Sequence, residues 1–202
     1  MFEKLLEQRE YRWPQKGDRL LKPSGPIEGV YFADDRYSRE AFLWTGYMLA
    51  GEKLVEACLL DNHQRHYLIY PILFNYRHGI EIAMKWTLNR YGRFASIYDY
   101  DKNHRLVDLW RACKIVMAEV GGDEDQEADK TVECVIREFD RIDPGSFSFR
   151  YAETKSGADI KLPPYAVDLA NLRDVMKGVD HFFTGLDGLL DANSSSGYFD
   201  QY

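Results

Sequence analysis

The feature that most constrains the fold is an apolar stretch, Leu68–Asn89, which a single line of polar residues interrupts. Apolar side chains cover most of the circumference that this stretch would have as a helix, a pattern typical of a helix at the centre of a domain. The polar line consists of Arg77, Glu81 and Lys85, with His78 beside it. Because buried charges must be paired or solvated, the sequence predicts a central helix whose polar line is either a solvated ladder of ion pairs or a polar site inside or beside the bundle.

The rest of the chain predicts one mainly all-α domain over residues 1–202, an antiparallel bundle of about five helices. Four further amphipathic helices are expected at about Asp34–Leu60, Asp101–Val120, from the acidic run after Gly122 to Ile142, and from Asp168 to Leu190. Prolines and glycines make residues 1–33 an irregular arm, and residues 193–202 read as a frayed tail.

One segment changes period and predicts strands. Aromatic residues alternate with polar ones in the run Ser146-Phe147-Ser148-Phe149-Arg150-Tyr151. Such alternation is typical of a half-buried strand. We therefore expect a small β-hairpin near residues 147–162.

The faces of the predicted helices place the cysteines and the core. The inner stripe of the first helix is expected to be Leu43, Tyr47, Ala50, Leu54 and Cys58, and Phe42, Met48 and Leu49 are expected to widen that face. Cys58, Cys113 and Cys134 each fall on an apolar face without metal or redox spacing, which indicates buried free thiols in a reducing cytoplasm. The N-terminus lacks the pattern of a signal peptide, and the charges within Leu68–Asn89 argue against a membrane span, so a soluble, cytoplasmic protein is expected.

Charge is unevenly distributed along the chain. The net charge of −7 argues against general DNA binding. The section Asp123–Asp143 holds nine acidic and three basic residues, whereas Arg77–Lys114 holds eight basic and four acidic residues. An anionic ligand would therefore meet the central section.

Neither a metal site nor a cofactor is expected. His63 and His66 lie on a polar connector and lack a third partner, while zinc needs three or four converging ligands. No phosphate-binding glycine loop is present in the sequence. His104 opens the third helix, where it can pair with Asp108 or reach Glu81 or Lys85.

The polar line and the third helix together carry a family resemblance. The runs Tyr76–Lys85 (YRHGIEIAMK) and His104–Trp110 (HRLVDLW) resemble the R-x-x-I-E-x-x-L-K … H-x-L-x-x-L-W pattern of HEPN-like helical bundles. The resemblance covers approximately residues 68–111. It implies a helical bundle that is commonly a homodimer and belongs to a bacterial toxin–antitoxin or phage-defence system. It also implies ligand-binding positions, which are Arg77, His78, Glu81, Lys85 and His104.

The resemblance leaves the activity open. Ribonuclease members of the family carry an arginine followed, after four to six residues, by a histidine. The nearest pair here is Arg173 and His181, with seven residues between them. The leading hypothesis is therefore a non-catalytic protein that binds a nucleotide, RNA or a protein partner. The alternatives are a metal-independent ribonuclease with an atypical site and a structural dimerisation or interaction protein. Candidate catalytic residues are Arg77, His78, His104, Arg173 and His181.

Overall fold

The computed structural model describes residues 13–25, 27–100, 104–121 and 126–196. The chain divides into two compact units, Met1–Phe32 and Ala33–Tyr202. In the first unit, the described residues form turns and extended segments without a helix or strand.

The second unit is built from α-helices. Its described residues form α1 (Arg36–Leu60), α2 (Arg65–Tyr91), α3 (Leu106–Val116), α4 (Gln126–Ile142) and α5 (Leu169–Ser196). Short 3₁₀ segments follow α1 and α2, and a π-helical turn follows α3. The prediction of a mainly all-α fold is thus confirmed. None of the described helices has the length and hydropathy needed to span a membrane.

Aspartates define the start of two of these helices. Asp35 Oδ1 accepts a hydrogen bond from the Ser38 N–H at 2.8 Å, and Asp168 Oδ1 accepts from the N–H groups of Ala170 and Asn171, each at 3.0 Å. A side-chain oxygen at this position satisfies N–H groups that the helix itself leaves unpaired. The expected start of the third helix, residue 101, lies outside the described residues.

α1 and α2 run antiparallel and in close contact. A Cβ atom added at Gly51 would lie 2.6 Å from the Tyr76 ring, and one added at Gly79 would lie 2.8 Å from Met48 Sδ. The absence of side chains at these glycines therefore allows the two backbones to approach.

This contact corrects the predicted inner face of α1. The buried residues are Trp44, Met48, Gly51, Val55 and Cys58, whereas Leu43 and Leu49 are exposed. The stripe is rotated by about one residue from the prediction, and Met48 and Cys58 are the two buried residues that the predicted face included. A pattern of hydrophobic side chains gives no signal at Gly51, although Gly51 determines which face of α1 contacts α2.

α5 runs in the same direction as α2. Trp86 Nε1 donates to Asp187 Oδ1 at 2.7 Å, and Arg90 Nη2, one turn later, lies 2.7 Å from Asp191 Oδ1. Asn193 Nδ2 then donates to the Val120 carbonyl at 2.8 Å. α5 thus extends to Ser196, four residues into the stretch that was expected to be a frayed tail.

The predicted β-hairpin near residues 147–162 is wrong. A single antiparallel bridge joins Glu153 and Asp159, and the described residues contain no strand. The N–H groups of Arg150 and Tyr151 both donate to the Phe147 carbonyl, at 3.1 and 3.2 Å. Such bonds belong to a turn.

The reason for this turn lies at the end of α4. Asp143 Oδ1 accepts the N–H groups of Phe147 and Ser148, at 2.6 and 2.8 Å. These two donors are therefore unavailable to a strand ladder, and Ser146 adopts a positive φ of 57°. Local side-chain bonds of this kind compete with secondary structure.

The hydrophobic core draws on all five helices. Its fully buried large side chains include Ile72, Ile80, Met84, Leu106, Leu109, Trp110, Met117, Ile136, Met176 and Phe183. Cys58 and Cys113 are buried as expected, but Cys134 on α4 is exposed, which corrects the prediction of three buried thiols.

Candidate functional site

The polar line of α2 forms the centre of an ionic cluster. Arg77 Nη1 donates to Glu81 Oε2 at 3.0 Å, and Lys85 Nζ donates to Glu81 Oε1 at 2.7 Å. Residues four apart lie on one side of a helix, which explains how the sequence brings these three together. Arg77 is completely buried and Glu81 is 1% exposed.

Arg77 joins three parts of the chain. Its Nε donates to the Asp143 carbonyl at 2.9 Å and lies 3.2 Å from Asp143 Oδ2. Its Nη2 donates to the His104 carbonyl at 2.6 Å. Together with Glu81, these acceptors occupy all three nitrogens of the guanidinium. Arg77 therefore holds α2, the residues before α3 and the end of α4 together, and it has no face to offer a ligand.

Glu81 is surrounded by groups that favour its charged form. Its Oε1 lies 2.9 Å from His104 Nδ1, and its Oε2 lies 3.9 Å from His78 Nδ1. Burial by itself would raise the pKa of the Glu81 carboxyl, but His78, Lys85 and His104 lower it by more, so the pKa lies well below its ordinary value.

Asp143 completes the cluster, although the sequence analysis did not select it. It follows the last residue of α4, and in the sequence its Asp-Pro-Gly run indicated only the end of a helix. The side chain is fully buried, with Oδ2 toward Arg77 and Oδ1 bound to two backbone N–H groups. A carboxylate that follows an acidic helix gives no local signal that an arginine 66 residues earlier will reach it.

The accessible part of the site is a strip along α2 that we call the α2 rim. It comprises Phe74, His78, Lys85, His104 and Arg150. The side chain of His104 is 57% exposed, and those of His78 and Lys85 are 27% and 24% exposed. His78 stacks on Phe74 with ring centroids 5.5 Å apart, and the Arg150 guanidinium lies 5.7 Å from the Phe74 centroid. The rim thus combines one phenyl ring and two imidazoles with a lysine and an arginine, beside the buried Arg77–Glu81 pair.

In the rim, Glu81 orients the imidazole of His104 in a way that allows proton transfer. A carboxylate accepts hydrogen bonds, so the 2.9 Å contact with Glu81 places a hydrogen on Nδ1 of His104. In the neutral imidazole, Nε2 is then the nitrogen that can accept a proton. A carboxylate that orients an imidazole is also the arrangement that supports proton transfer. The ammonium of Lys85 binds the same Glu81 oxygen.

The other two candidates lie elsewhere. Arg173 on α5 pairs with its neighbour Asp174 at 2.8 Å, and the exposed His181 has Asp180 beside it in the chain. Within the described part of the chain, no hydrogen bond or ion pair joins Arg173 to His181. The structure does not bring them into the α2 cluster.

The described residues offer no arrangement for a metal. Among residues 13–25, 27–100, 104–121 and 126–196, no group of three or more His, Cys, Asp or Glu side chains could hold an ion. His63 lies in the 3₁₀ segment before α2, and His66 lies in the first turn of α2.

Comparison of the chain with protein-family models, with curated proteins and with solved structures finds no match.

Proposed function

We propose that this chain is a non-catalytic, HEPN-like binding protein that takes a nucleotide or a short single-stranded RNA along the α2 rim. The observation that carries the proposal is the continuous contact from Arg150 through Phe74 and His78 to the Glu81 carboxylate, which His104 and Lys85 also touch.

The composition of the rim fits a nucleotide. Single-stranded nucleic acids bind to proteins through base stacking on aromatic rings and through basic groups along the phosphates. The guanidinium of Arg150, which lies over Phe74, offers a planar face, while Lys85 and His104 offer groups that bind phosphate. Phe74 and Lys85 are eleven residues apart, which is about 16 Å along a helix, a span that suits two or three nucleotides.

The buried pair supports binding rather than catalysis. Cleavage of RNA at a metal-free site needs a proton acceptor and a cation that meets the phosphate. Arg77 cannot meet a phosphate, because its three nitrogens already contact protein oxygens in a site without solvent exposure. We therefore assign Arg77 and Glu81 the role of positioning Lys85 and His104.

One observation favours a second candidate, the metal-independent ribonuclease. Glu81 orients an exposed imidazole, His104, next to the ammonium of Lys85. In this alternative, His104 takes the 2′-hydroxyl proton and Lys85 stabilises the negative charge that develops on the phosphate.

A single experiment separates the two. A fluorescein-labelled hexaribonucleotide is titrated with protein in EDTA, and binding is followed by fluorescence anisotropy. Lys85→Ala and His104→Ala should each weaken binding at least tenfold, whereas Lys53→Ala, which removes an exposed lysine of α1, should leave it unchanged. Competition by ADP would extend the ligand class to free nucleotides.

The same samples are analysed on a denaturing gel. Intact RNA supports the binding protein, and cleavage that His104→Ala abolishes would replace it by the ribonuclease. Wild-type affinity no greater than that of Lys85→Ala and His104→Ala, all with equal circular dichroism spectra, would contradict both.

The proposal includes a biological setting. We propose a cytoplasmic homodimer in a bacterial toxin–antitoxin or phage-defence system, as the HEPN resemblance implies. We place the subunit contact at Leu189 near the end of α5, whose side chain is exposed. Sedimentation velocity of the wild type and of Leu189→Glu tests it: a dimer should become a monomer, and a wild-type monomer would exclude this part of the proposal.

A further inference from the structure

A second site lies at the opposite end of α2 from Lys85. It is a groove of about 670 Å³ between the first turns of α2 and α5, the last turns of α4 and the connection from α4 to α5. It shares no lining residue with the α2 rim. A groove of this volume is in the range of small-molecule sites.

The floor of the groove is apolar. Its side chains include Ile69, Leu73, Phe139, Ile142, Leu172 and Met176. Phe139 and Met176 are buried, whereas Ile69, Leu73, Ile142 and Leu172 remain partly accessible. Covering such side chains with an apolar chain is favourable because it removes them from water.

The charged residues of the groove are not equivalent. On the acidic side, Asp168 caps α5 through its Oδ1, and Glu138 lies 4.0 Å from Arg141. On the basic side, the one hydrogen bond of the Arg65 side chain to a described residue runs from Nε to the Cys58 carbonyl, at 3.2 Å. In the described part of the chain, no carboxylate lies within ion-pair distance of Arg65 or His66. Among the described residues, the acids of the groove therefore have polar or ionic partners, whereas neither the Nη groups of Arg65 nor the imidazole of His66 has a carboxylate partner.

Helix direction adds to this asymmetry. Since α2 and α5 run the same way, both present their N-terminal ends to this side of the bundle. The carboxylate of Asp168 already caps α5, whereas Gln64 makes no side-chain cap hydrogen bond at the start of α2. The partial positive charge at a helix N-terminus favours an anion. The uncommitted nitrogens of Arg65 therefore lie where a negative group is favoured.

We propose that this groove binds an amphiphile with one carboxylate and an unbranched apolar chain, a fatty-acid-like monocarboxylate. The chain lies over Leu73 and Leu172, and the carboxylate pairs with the Nη groups of Arg65. An arginine fork matches a carboxylate with two parallel hydrogen bonds. This site is independent of the rim and of the function proposed for it.

The test uses dodecanoate below its micelle concentration and isothermal titration calorimetry of the whole chain. Wild-type protein should bind it one to one, with an affinity that rises with chain length from hexanoate to dodecanoate. Dodecyltrimethylammonium, of opposite charge, should bind at least tenfold more weakly. Arg65→Gln should weaken the binding of dodecanoate at least tenfold and leave the binding of dodecanol unchanged. Arg111→Gln, on the exposed face of α3, should change neither affinity.

A groove-filling variant locates the apolar part. Leu73→Trp should reduce binding of both dodecanoate and dodecanol, and its circular dichroism spectrum shows whether it folds; Leu172→Phe replaces it if it does not. The proposal would be overturned if dodecanoate and dodecanol bound with equal affinity and Arg65→Gln changed neither affinity. It would also be overturned if no binding were detected at millimolar ligand. A dimer that Leu73→Trp dissociates would identify the groove as a contact between two copies and would also overturn it.

Discussion

Arg77 and Asp143, 66 residues apart, form a completely buried ion pair in which Arg77 Nε lies 3.2 Å from Asp143 Oδ2 and 2.9 Å from the Asp143 carbonyl. The pair fastens the middle of the central helix to the point where α4 ends. The same Asp143 side chain determines the turn that follows. One aspartate thus links the ionic cluster to the path of the connection between α4 and α5.

Removing Arg77 should destabilise the protein strongly. Arg77→Met leaves Asp143 and Glu81 without a buried cationic partner, and breaking a buried pair in this way costs about 3–5 kcal/mol. Urea unfolding followed by circular dichroism measures the loss. Lys85→Met, at a partly exposed position, should cost much less.

The double variant Arg77→Met/Asp143→Asn tests the reason for that loss. Asparagine keeps an oxygen for the N–H groups of Phe147 and Ser148 but carries no charge. The double variant should therefore be more stable than Arg77→Met alone. Additive losses from the two substitutions would show that the ion pair does not couple them.

Stability should fall in acid because of Glu81. The native-state pKa of Glu81 is lowered below its ordinary value of 4.5. A lowered pKa contributes stability that is present above pH 4.5 and lost as the pH falls toward the native value. Glu81→Gln should be less stable than wild type at pH 7, and the difference should shrink between pH 4.5 and pH 3.

Glu133→Gln provides a comparison for this pH profile. Lys114 and Arg137 lower the pKa of Glu133 to about 2, so this carboxylate also contributes above pH 4.5. Because the Glu133 side chain is 22% exposed and that of Glu81 only 2%, the Glu133 effect should be smaller. An acid profile of Glu81→Gln parallel to that of wild type would contradict the role of Glu81.

The sequence predicted the helices well because their signals are local. The expected helices Asp34–Leu60 and Asp168–Leu190 begin at aspartates, and in the structure Asp35 and Asp168 cap α1 and α5. The i, i+4 spacing likewise placed Arg77, Glu81 and Lys85 on one side of α2. These relationships depend on residues within a few positions of one another.

The missed features depend on distant contacts. The partner of Arg77 is Asp143, the inner face of α1 is set by Tyr76 against Gly51, and the expected strand is replaced by a turn that Asp143 holds. In each case a tertiary contact overrides the local pattern. The spacing of charged residues along α2 does not predict whether Arg77 is buried. Because Arg77 is buried, we assign it the role of positioning Lys85 and His104.

The three thiols should differ in reactivity. Burial raises the pKa values of Cys58 and Cys113, and a thiol reacts through its deprotonated form. Cys134 is exposed. At pH 7.5 a maleimide should therefore modify one thiol per folded chain and three in urea, as counted by mass spectrometry. Cys134→Ser should abolish the fast modification; a second fast thiol would show that α1 or α3 opens readily.

Two glycines of the same helix should respond oppositely to alanine. A Cβ at Gly51 would lie 2.6 Å from the Tyr76 ring, and Tyr76 is held in the core, so Gly51→Ala must separate α1 from α2. Overpacking of this kind costs about 1–3 kcal/mol. A Cβ at Gly46 meets no atom within 4 Å, and an alanine there should stabilise the helix by about 0.5–1 kcal/mol. Thermal unfolding should show a lower Tm for Gly51→Ala and a higher Tm for Gly46→Ala. Equal changes in Tm would mean that the close contact at Gly51 does not determine which face of α1 packs on α2.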